Sequence, residues 1–354
     1  MLRSQDYSKG WAGPDEMHRV NSQLENQYRN ARIRRDDLIM TVVGAGIGQV
    51  EIAPAWLDGA ILSRSTARIA VDESQASRMF VKAALESPVG KRQILDSQKE
   101  GAQPVVSCRD LAKFFLPYPP PSEQRAIAET LSDVDALIGA LDRLITKKRD
   151  LKQAAMQQLL TGQKRLPGFH GEWEVKRLGE SADCLDQLRV PLNEAQRAQR
   201  KGDFPYCGAN GVLDFVDGYV VDDDIILMAE DGGYFDEYET RPIAYRMIGK
   251  CWVNNHAHIL KAKGGYDQGF LFYSLVHKNI LPFLASGTRA KLNKSEMNKI
   301  EVSLPKEQPE QTAIAEMLSD MDAELAALEQ RRDKTHALKQ GMMQELLTGK
   351  TRLV

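Results

Sequence analysis

Apolar residues recur at Ile127, Leu131, Val134, Ile138, Leu141 and Ile145, with gaps that alternate between four and three. Ile314, Leu318, Met321, Leu325 and Leu328 repeat the alternation. This 3.5-residue period is the seam of a coiled coil, not merely the core face of one packed helix. Both patterns lapse at the same place, Lys148 and Thr335, and apolar character returns at Leu151 and Leu338. A shared lapse suggests a stutter or a change of partner. Each pattern is entered from a proline-bearing segment, LPYPPPSEQ or LPKEQPEQ, where proline is tolerated at a helix start. Each ends in LLTG, with Gly162 and Gly349 placed as C′ glycines. About 37 residues at 1.5 Å each predict helices of roughly 55 Å.

The two helical stretches are copies. Residues 124–166 and 311–353 align without a gap at an offset of 187, with 24 of 43 positions identical. Seams of this width need partners, and the other copy is the obvious one, paired antiparallel. The repeat extends upstream: DDLIMTVVGAGIG at 36–48 matches DDIILMAEDGGYF at 223–235, and GAQPVVSCRDLAKFFLP at 101–117 resembles GTRAKLNKSEMNKIEVSLP at 287–305. Short strand-like runs such as DDIILMAE and CWVNNHAHILKA are separated by glycine turns. Helical stretches lie near SRMFVKAALES and GFLFYSLVHKNIL. The expectation is an α+β fold: two mixed α/β domains and two long helices pairing as an antiparallel coiled coil with a pseudo-two-fold axis. The boundaries read as a first domain at 1–119, a first helix at 120–162, a linker at 163–171, a second domain at 172–306 and a second helix at 307–349. The first domain has no counterpart to GEWEVKRLGESADCLD in the second. Either its natural start lies upstream or the domain is shortened.

Charge and cysteine usage narrow the function classes. The 354 residues carry a net charge of −2, and the sequence pI is about 6.4. That argues modestly against unaided binding to nucleic acid, which lysine and arginine drive, but it permits a local basic face. No apolar run approaches the roughly 18 residues of a membrane span. The start, MLRSQDYSKGW, has no apolar stretch of the signal-peptide kind. The four cysteines show no CxxC or other metal spacing, and free thiols fit the cytoplasm.

These residues resemble a known family, the specificity subunits of type I restriction–modification systems. The resemblance covers nearly the whole chain. It rests on LPYPPPSEQRAIAETLSDVDALI with LLTGQKRLPGF and GEWEVKRLGE, and on LPKEQPEQTAIAEMLSDMDAEL with LLTGKTRL. YCGANGVLDFVDGY, AEDGGYF, NNHAHIL and SGTRAKL add to it. The resemblance implies two target-recognition domains, each reading one half of a bipartite site on double-stranded DNA, with paired helices as a ruler. It implies no catalytic residues, metal or cofactor on this chain. S-adenosylmethionine is expected on partner modification (methyltransferase) subunits, and ATP and Mg on partner restriction (translocase/nuclease) subunits. Half-sites read from one side lie about one helical turn, roughly 34 Å, apart. Two dissimilar recognition domains predict an asymmetric target.

Other chemistry is weaker. GAGIG (Gly44 to Gly48) lacks the full phosphate-loop patterns and reads as a β-turn. His256 and His258 share a strand face but lack a third spaced metal ligand. Glu174 to Lys176 match only the end of a PD-(D/E)xK nuclease motif, and PYPPP at 117–121 is not an amino-methyltransferase signature. For DNA contact the best residues are Thr288, Arg289, Lys291 and Lys294 in the glycine-led loop SGTRAKLNKSE, where cations meet phosphates or guanine edges. The first domain offers Gln103 in the corresponding loop and the basic cluster Arg32, Arg34 and Arg35. Asn210, Tyr206 and Arg189 are further candidates. Ile127, Leu131, Leu141, Ile314, Leu318 and Leu328 should hold the helix pair. Asp133, Asp135, Asp320 and Asp322 form a plausible docking face for the modification subunits. The rival readings are a coiled-coil scaffold that binds no DNA, a nuclease or methyltransferase, and a defective specificity cassette.

Overall fold

A computed structural model describes residues 1–8, 10–44, 46–98, 104–285 and 290–353. The chain divides into two compact units, Met1–Leu144 together with Leu328–Val354, and Ile145–Ala327. No helix among the described residues is long and apolar enough to cross a membrane.

The first unit contains α1 (Ser22–Gln27), β1 (Leu38–Thr41), β2 (Val50–Ile52), β3 (Thr66–Ile69), α2 (Arg78–Glu86), α3 (Pro88–Asp96), α4 (Cys108–Leu111) and the first part of α5 (Pro121–Leu159). β1 is the centre of an antiparallel sheet of order β2-β1-β3. Side chains alternate across a strand, so β1 feeds two cores. Leu38 and Met40 face Val50, Ala67, Leu85 and Ile94. Ile39 faces Leu2, Tyr7, Ile33 and Leu57. α3 starts where the Ser87 hydroxyl accepts the Gly90 N–H at 3.1 Å, with Pro88 in the first turn. Gly90 is required there, because a Cβ would lie 2.3 Å from the Leu85 carbonyl oxygen.

The second unit continues with β4 (Trp173–Arg177), α6 (Leu178–Ser181), β5 (Ala182–Cys184), α7 (Glu194–Gln199), β6 (Lys201–Gly208), β7 (Gly211–Val216), β8 (Val221–Ala229), β9 (Ala244–Val253), β10 (Ala257–Ala262), α8 (Gln268–Val276), α9 (Lys294–Met297), β11 (Glu301–Pro305) and α10 (Gln308–Leu346). Its main sheet has the order β5-β10-β8-β9-β6-β7, and a two-stranded sheet joins β11 to β4. Neighbours are antiparallel except β6 and β9, which run parallel. β8, the counterpart of β1, is also buried on both faces. Ile226 and Met228 join Phe270 and Leu275 of α8, while Ile225 and Leu227 join Cys207, Cys251, Val253 and Ile259.

Each unit holds half of each long helix, and the halves run antiparallel. In the first unit Asp142, Asp135 and Glu123 of α5 meet Arg332, Lys339 and Arg352, at 3.8, 2.6 and 2.5 Å. In the second, Lys148 of α5 meets Glu324 at 2.6 Å, Lys152 pairs with Asp322, and Arg165 meets Glu310 at 2.5 Å. Glu123–Arg352 and Asp135–Lys339 recur as Glu310–Arg165 and Asp322–Lys152 at the sequence offset of the repeat. Ile127, Leu131, Leu141, Ile314 and Leu318 are buried, and Leu328 is half-buried. Both helices end as the glycines require, with φ of +70° at Gly162 and +72° at Gly349.

Two expectations are corrected. The seam does not resume at Leu151 and Leu338, which are 48% and 59% exposed. It runs on without a stutter through half-buried Lys148 and Lys152 on α5, and through buried Thr335 and half-buried Lys339 on α10. The stems of the three lysines lie along the seam while their ammonium groups reach acids on the other helix. For the same reason Asp135 and Asp322 are bound up in interhelical pairs and are not free docking groups.

A further tie joins helix to domain. Gln124, fully buried, accepts the Ser77 N–H at 2.9 Å and donates to the Pro119 carbonyl at 2.8 Å. Gln311 accepts the Asp267 N–H at 2.9 Å and donates to the Pro305 carbonyl at 2.7 Å. Ser77 and Asp267 are the N-cap residues of α2 and α8. One glutamine thus orients each long helix against the helix of the domain that precedes it.

Candidate nucleic-acid interface

In the second unit, backbone and side-chain bonds gather four turns. The turn between β6 and β7 is held by Asn210, whose amide donates to the Gly232 carbonyl at 2.9 Å. Tyr245 donates to the Gly208 carbonyl at 2.6 Å. The turn after β8 is held to the turn before β10 by Glu230 N–H to the His256 carbonyl at 2.9 Å and by Asp231 to His256 Nδ1 at 2.6 Å. The segment after residue 290 joins them through an Asp231–Lys291 bridge and Leu292 N–H to the Glu230 carbonyl at 2.7 Å.

Charge is balanced beneath these turns. Glu230, almost buried, meets Lys291 at 2.8 Å and pairs with Arg189, which also meets Asp186 at 3.2 Å. Burial works to raise the pKa of Glu230, but hydrogen bonds from Lys291 and Arg189 outweigh it and hold the carboxyl below its usual range. His258 is 1% exposed, with Nδ1 2.7 Å from Asp186 and Nε2 2.8 Å from the Leu292 carbonyl. Burial alone would lower its pKa. Hydrogen bonding to Asp186, Cys184 and Leu292 raises it to about 9, so the ring is an imidazolium at neutral pH. Cys184, Asp186 and His258 have the spacing of a cation site among the described residues. Both ring nitrogens are already donating, so His258 acts as a clamp on the turn bearing Lys291. Asp186 lies in no motif, while Glu230 sits in AEDGGYF and His258 in NNHAHIL, segments whose composition is unusual but does not itself indicate a clamp.

The structure places the anticipated DNA contacts unequally. Lys291 and Asn210 lie in the gathered turns, but each is engaged, Lys291 with Glu230 and Asn210 with Gly232. Lys294, exposed at the start of α9, donates to the Cys184 carbonyl at 3.4 Å. Thr288, Arg289 and Gln103 lie outside the described residues. Arg189 is an internal brace, and Tyr206 is buried, with its hydroxyl bridging to Leu192. In the first unit the equivalent turn after β1 is held to residues 104–106 by Gly44 N–H to the Pro104 carbonyl at 3.2 Å and Val106 N–H to the Val42 carbonyl at 3.0 Å. Arg34 and Arg35 are exposed but precede β1, at the other end of the strand. The structure therefore does not bring them together with that turn. Arg32 is tied to Glu25 at 2.7 Å.

Gly46 to Gly48 form a turn, with Gly48 N–H bonded to the Thr41 carbonyl at 2.9 Å. Glu174 and Lys176 pair with each other at 3.2 Å on β4, which is zipped to β11.

Comparison with known proteins agrees with this architecture. Residues 170–336 match the family model described as the type I restriction modification DNA specificity domain. A putative type I restriction enzyme specificity subunit of Haemophilus influenzae, S.HindORF215P, is 36% identical over 143 residues, covering 40% of this chain and 35% of that protein. The EcoBI specificity subunit of Escherichia coli is 25% identical over 202 residues, covering 56% and 41%. The chain therefore spans about two-fifths or less of the length of these two relatives. The crystal structure of an S subunit from M. genitalium has the same fold, with a TM-score of 0.66 at 18% identity, covering 89% of this chain and 83% of that one. Residues 170–336 thus match the type I restriction modification DNA specificity domain, and the chain has the fold of a solved S subunit.

Proposed function

We propose that this chain is the DNA-reading subunit of a type I restriction–modification complex, with no catalytic activity of its own. Its two domains read the halves of a split, asymmetric site on double-stranded DNA. Partner modification subunits supply methylation with S-adenosylmethionine, and partner restriction subunits supply ATP- and Mg-dependent translocation and cleavage, all in the cytoplasm. The observation that carries the reading is the repetition of one construction. In each unit a turn after the central strand is tied to a downstream loop, and a buried glutamine fixes a long helix to the domain. Such a construction holds readout loops on a rigid base, and the paired helices set their spacing. Lys291, Lys294 and the neighbouring residues Thr288 and Arg289 are the proposed contacts of the second domain, with Asn210 as a positioning residue. Gln103 is that of the first, while Arg34 and Arg35, at the opposite end of β1, stand apart from its turn.

The test is co-expression with a modification subunit from the same locus, followed by methylation sequencing. The expected result is co-purification and adenine methylation in both halves of one bipartite motif. Absence of association and of DNA binding would leave the coiled-coil scaffold.

A further inference from the structure

In the Ile145–Ala327 unit a tyrosine plugs the domain helix into the helix pair. Tyr273 of α8, 5% exposed, donates its hydroxyl to Asp322 of α10 at 2.8 Å. The Lys152 ammonium of α5 lies 5.5 Å over its ring and pairs with the same carboxylate. Ser319 stands beside the hydroxyl. One ring thus ties three helices together, by an aromatic face and a polar anchor.

The Met1–Leu144/Leu328–Val354 unit keeps the socket and lacks the plug. α2 and α8 are placed alike, because Gln124 holds the Ser77 cap as Gln311 holds the Asp267 cap. Counted from those caps, Phe80 matches Phe270, and the two are buried with the counterpart isoleucines Ile127 and Ile314. Ala83 then matches Tyr273. Around Ala83 stand Leu131, Ser132, Asp135, Lys339 and Met343. By the repeat these match Leu318, Ser319, Asp322, Lys152 and Met156, each the same residue type. Asp135 and Lys339 pair at 2.6 Å, as Asp322 and Lys152 pair in the other unit. With a methyl group where the other unit has a phenol, these residues line a cavity of about 160 Å³. Cavities of about 150 Å³ admit a benzene ring. The residue at 83 accounts for the space, because the counterpart space is filled by Tyr273 from within its own domain helix. A larger cavity of about 580 Å³ adjoins it, sharing Glu86, Lys339 and Met343 and lined further by Gln98 and Gln340.

We infer that the cavity at Ala83 is a binding site for a small phenol. The ring enters between α2 and the helix pair, its hydroxyl donates to Asp135, and the Lys339 ammonium covers its face as Lys152 covers Tyr273. The amides of the adjoining cavity suit a polar substituent on the ring. Bound there, the phenol supplies to the first unit the tie that Tyr273 builds into the second. The inference does not depend on DNA reading.

The probe is p-cresol, the tyrosine side chain cut between Cα and Cβ, titrated into the full chain. Saturable binding by ligand-observed NMR is expected, with slowed amide exchange at 78–86 and no change at 268–276. Toluene, which lacks the hydroxyl, should bind about tenfold more weakly. Ala83→Tyr should abolish p-cresol binding and slow exchange at 78–86 by itself. Tyr273→Ala opens the matching cavity and should add a second site, read as slowed exchange at 268–276 when p-cresol is present. Lack of saturation in the unsubstituted chain would overturn the proposal, whether or not Tyr273→Ala binds. So would toluene binding as tightly as p-cresol, or unchanged p-cresol binding by Ala83→Tyr with a native circular dichroism spectrum.

Discussion

The Gln311 side chain accepts a hydrogen bond from the backbone N–H of Asp267 at 2.9 Å, which locks the start of α10 to the cap of α8. Gln311 is fully buried and donates to the Pro305 carbonyl as well. Gln311→Leu would strand a buried donor and a buried acceptor. A loss of about 1–3 kcal/mol is expected in the second unit, read as a lower denaturation midpoint. Gln124→Leu should do the same to the first unit.

The seam residues carry the packing of the helix pair. Ile127→Ala or Leu318→Ala should each destabilise by about 2–4 kcal/mol, since both side chains are buried. Chemical denaturation followed by circular dichroism measures the loss. A change below about 1 kcal/mol would mean the helices relax around the cavity.

Lysine in the seam predicts a different response. Lys152→Met keeps the stem and removes the ammonium that pairs with Asp322. Its stability should stay within about 1 kcal/mol of the parent, as for most partly solvated ion pairs. Lys152→Asp, which sets two carboxylates together, should lower the midpoint clearly.

The His258 clamp gives a pH dependence. Its folded pKa stands at about 9 against an ordinary value of 6.5. The proton is thus bound more tightly in the folded chain. The stabilisation is complete below about pH 6.5 and is lost as pH rises through 9. Thermal unfolding followed between pH 6 and 9.5 should show this decline, and His258→Gln should flatten it. An imidazole titrating near 6.5 by NMR would contradict the assignment.

For DNA binding by the assembled complex, Lys294→Gln should reduce the slope of log affinity against log salt by about 0.9, the signature of one lost phosphate contact. Lys291→Gln should cost affinity and also unfolding midpoint, because it leaves Glu230 without one of its cations. Gel shifts at several salt concentrations separate the two.

Much of the frame was legible before any coordinates. The alternation from Ile127 to Ile145, the LLTG stops and the DDLIMT/DDIILM match located the helices and central strands, because period and glycine are local signals. Lys148 and Thr335 misled for a physical reason. A pattern that counts lysine as polar cannot see that its four-carbon stem packs while its charge crosses to an acid. The Gln124 and Gln311 ties were invisible because a buried amide has no period. Among the DNA candidates, Lys291 and Asn210 were found by composition, but their engagement with Glu230 and Gly232 depends on turns meeting in space.

The division of the chain bears on the order in which it can be made. The Ile145–Ala327 unit is one uninterrupted stretch, and all its core partners have been synthesised once residue 327 is in place. The other unit needs Met343, Leu346 and Leu347 against Phe80, Ile127 and Leu131, and those three residues are made only after residue 327. At about 5–20 residues per second, the earlier-made domain waits roughly ten seconds or more, its apolar surface uncovered, while the later-made one can already fold. Vectorial synthesis thus reverses the sequence order of the two recognition domains, and the first is the one exposed to chaperones and proteases.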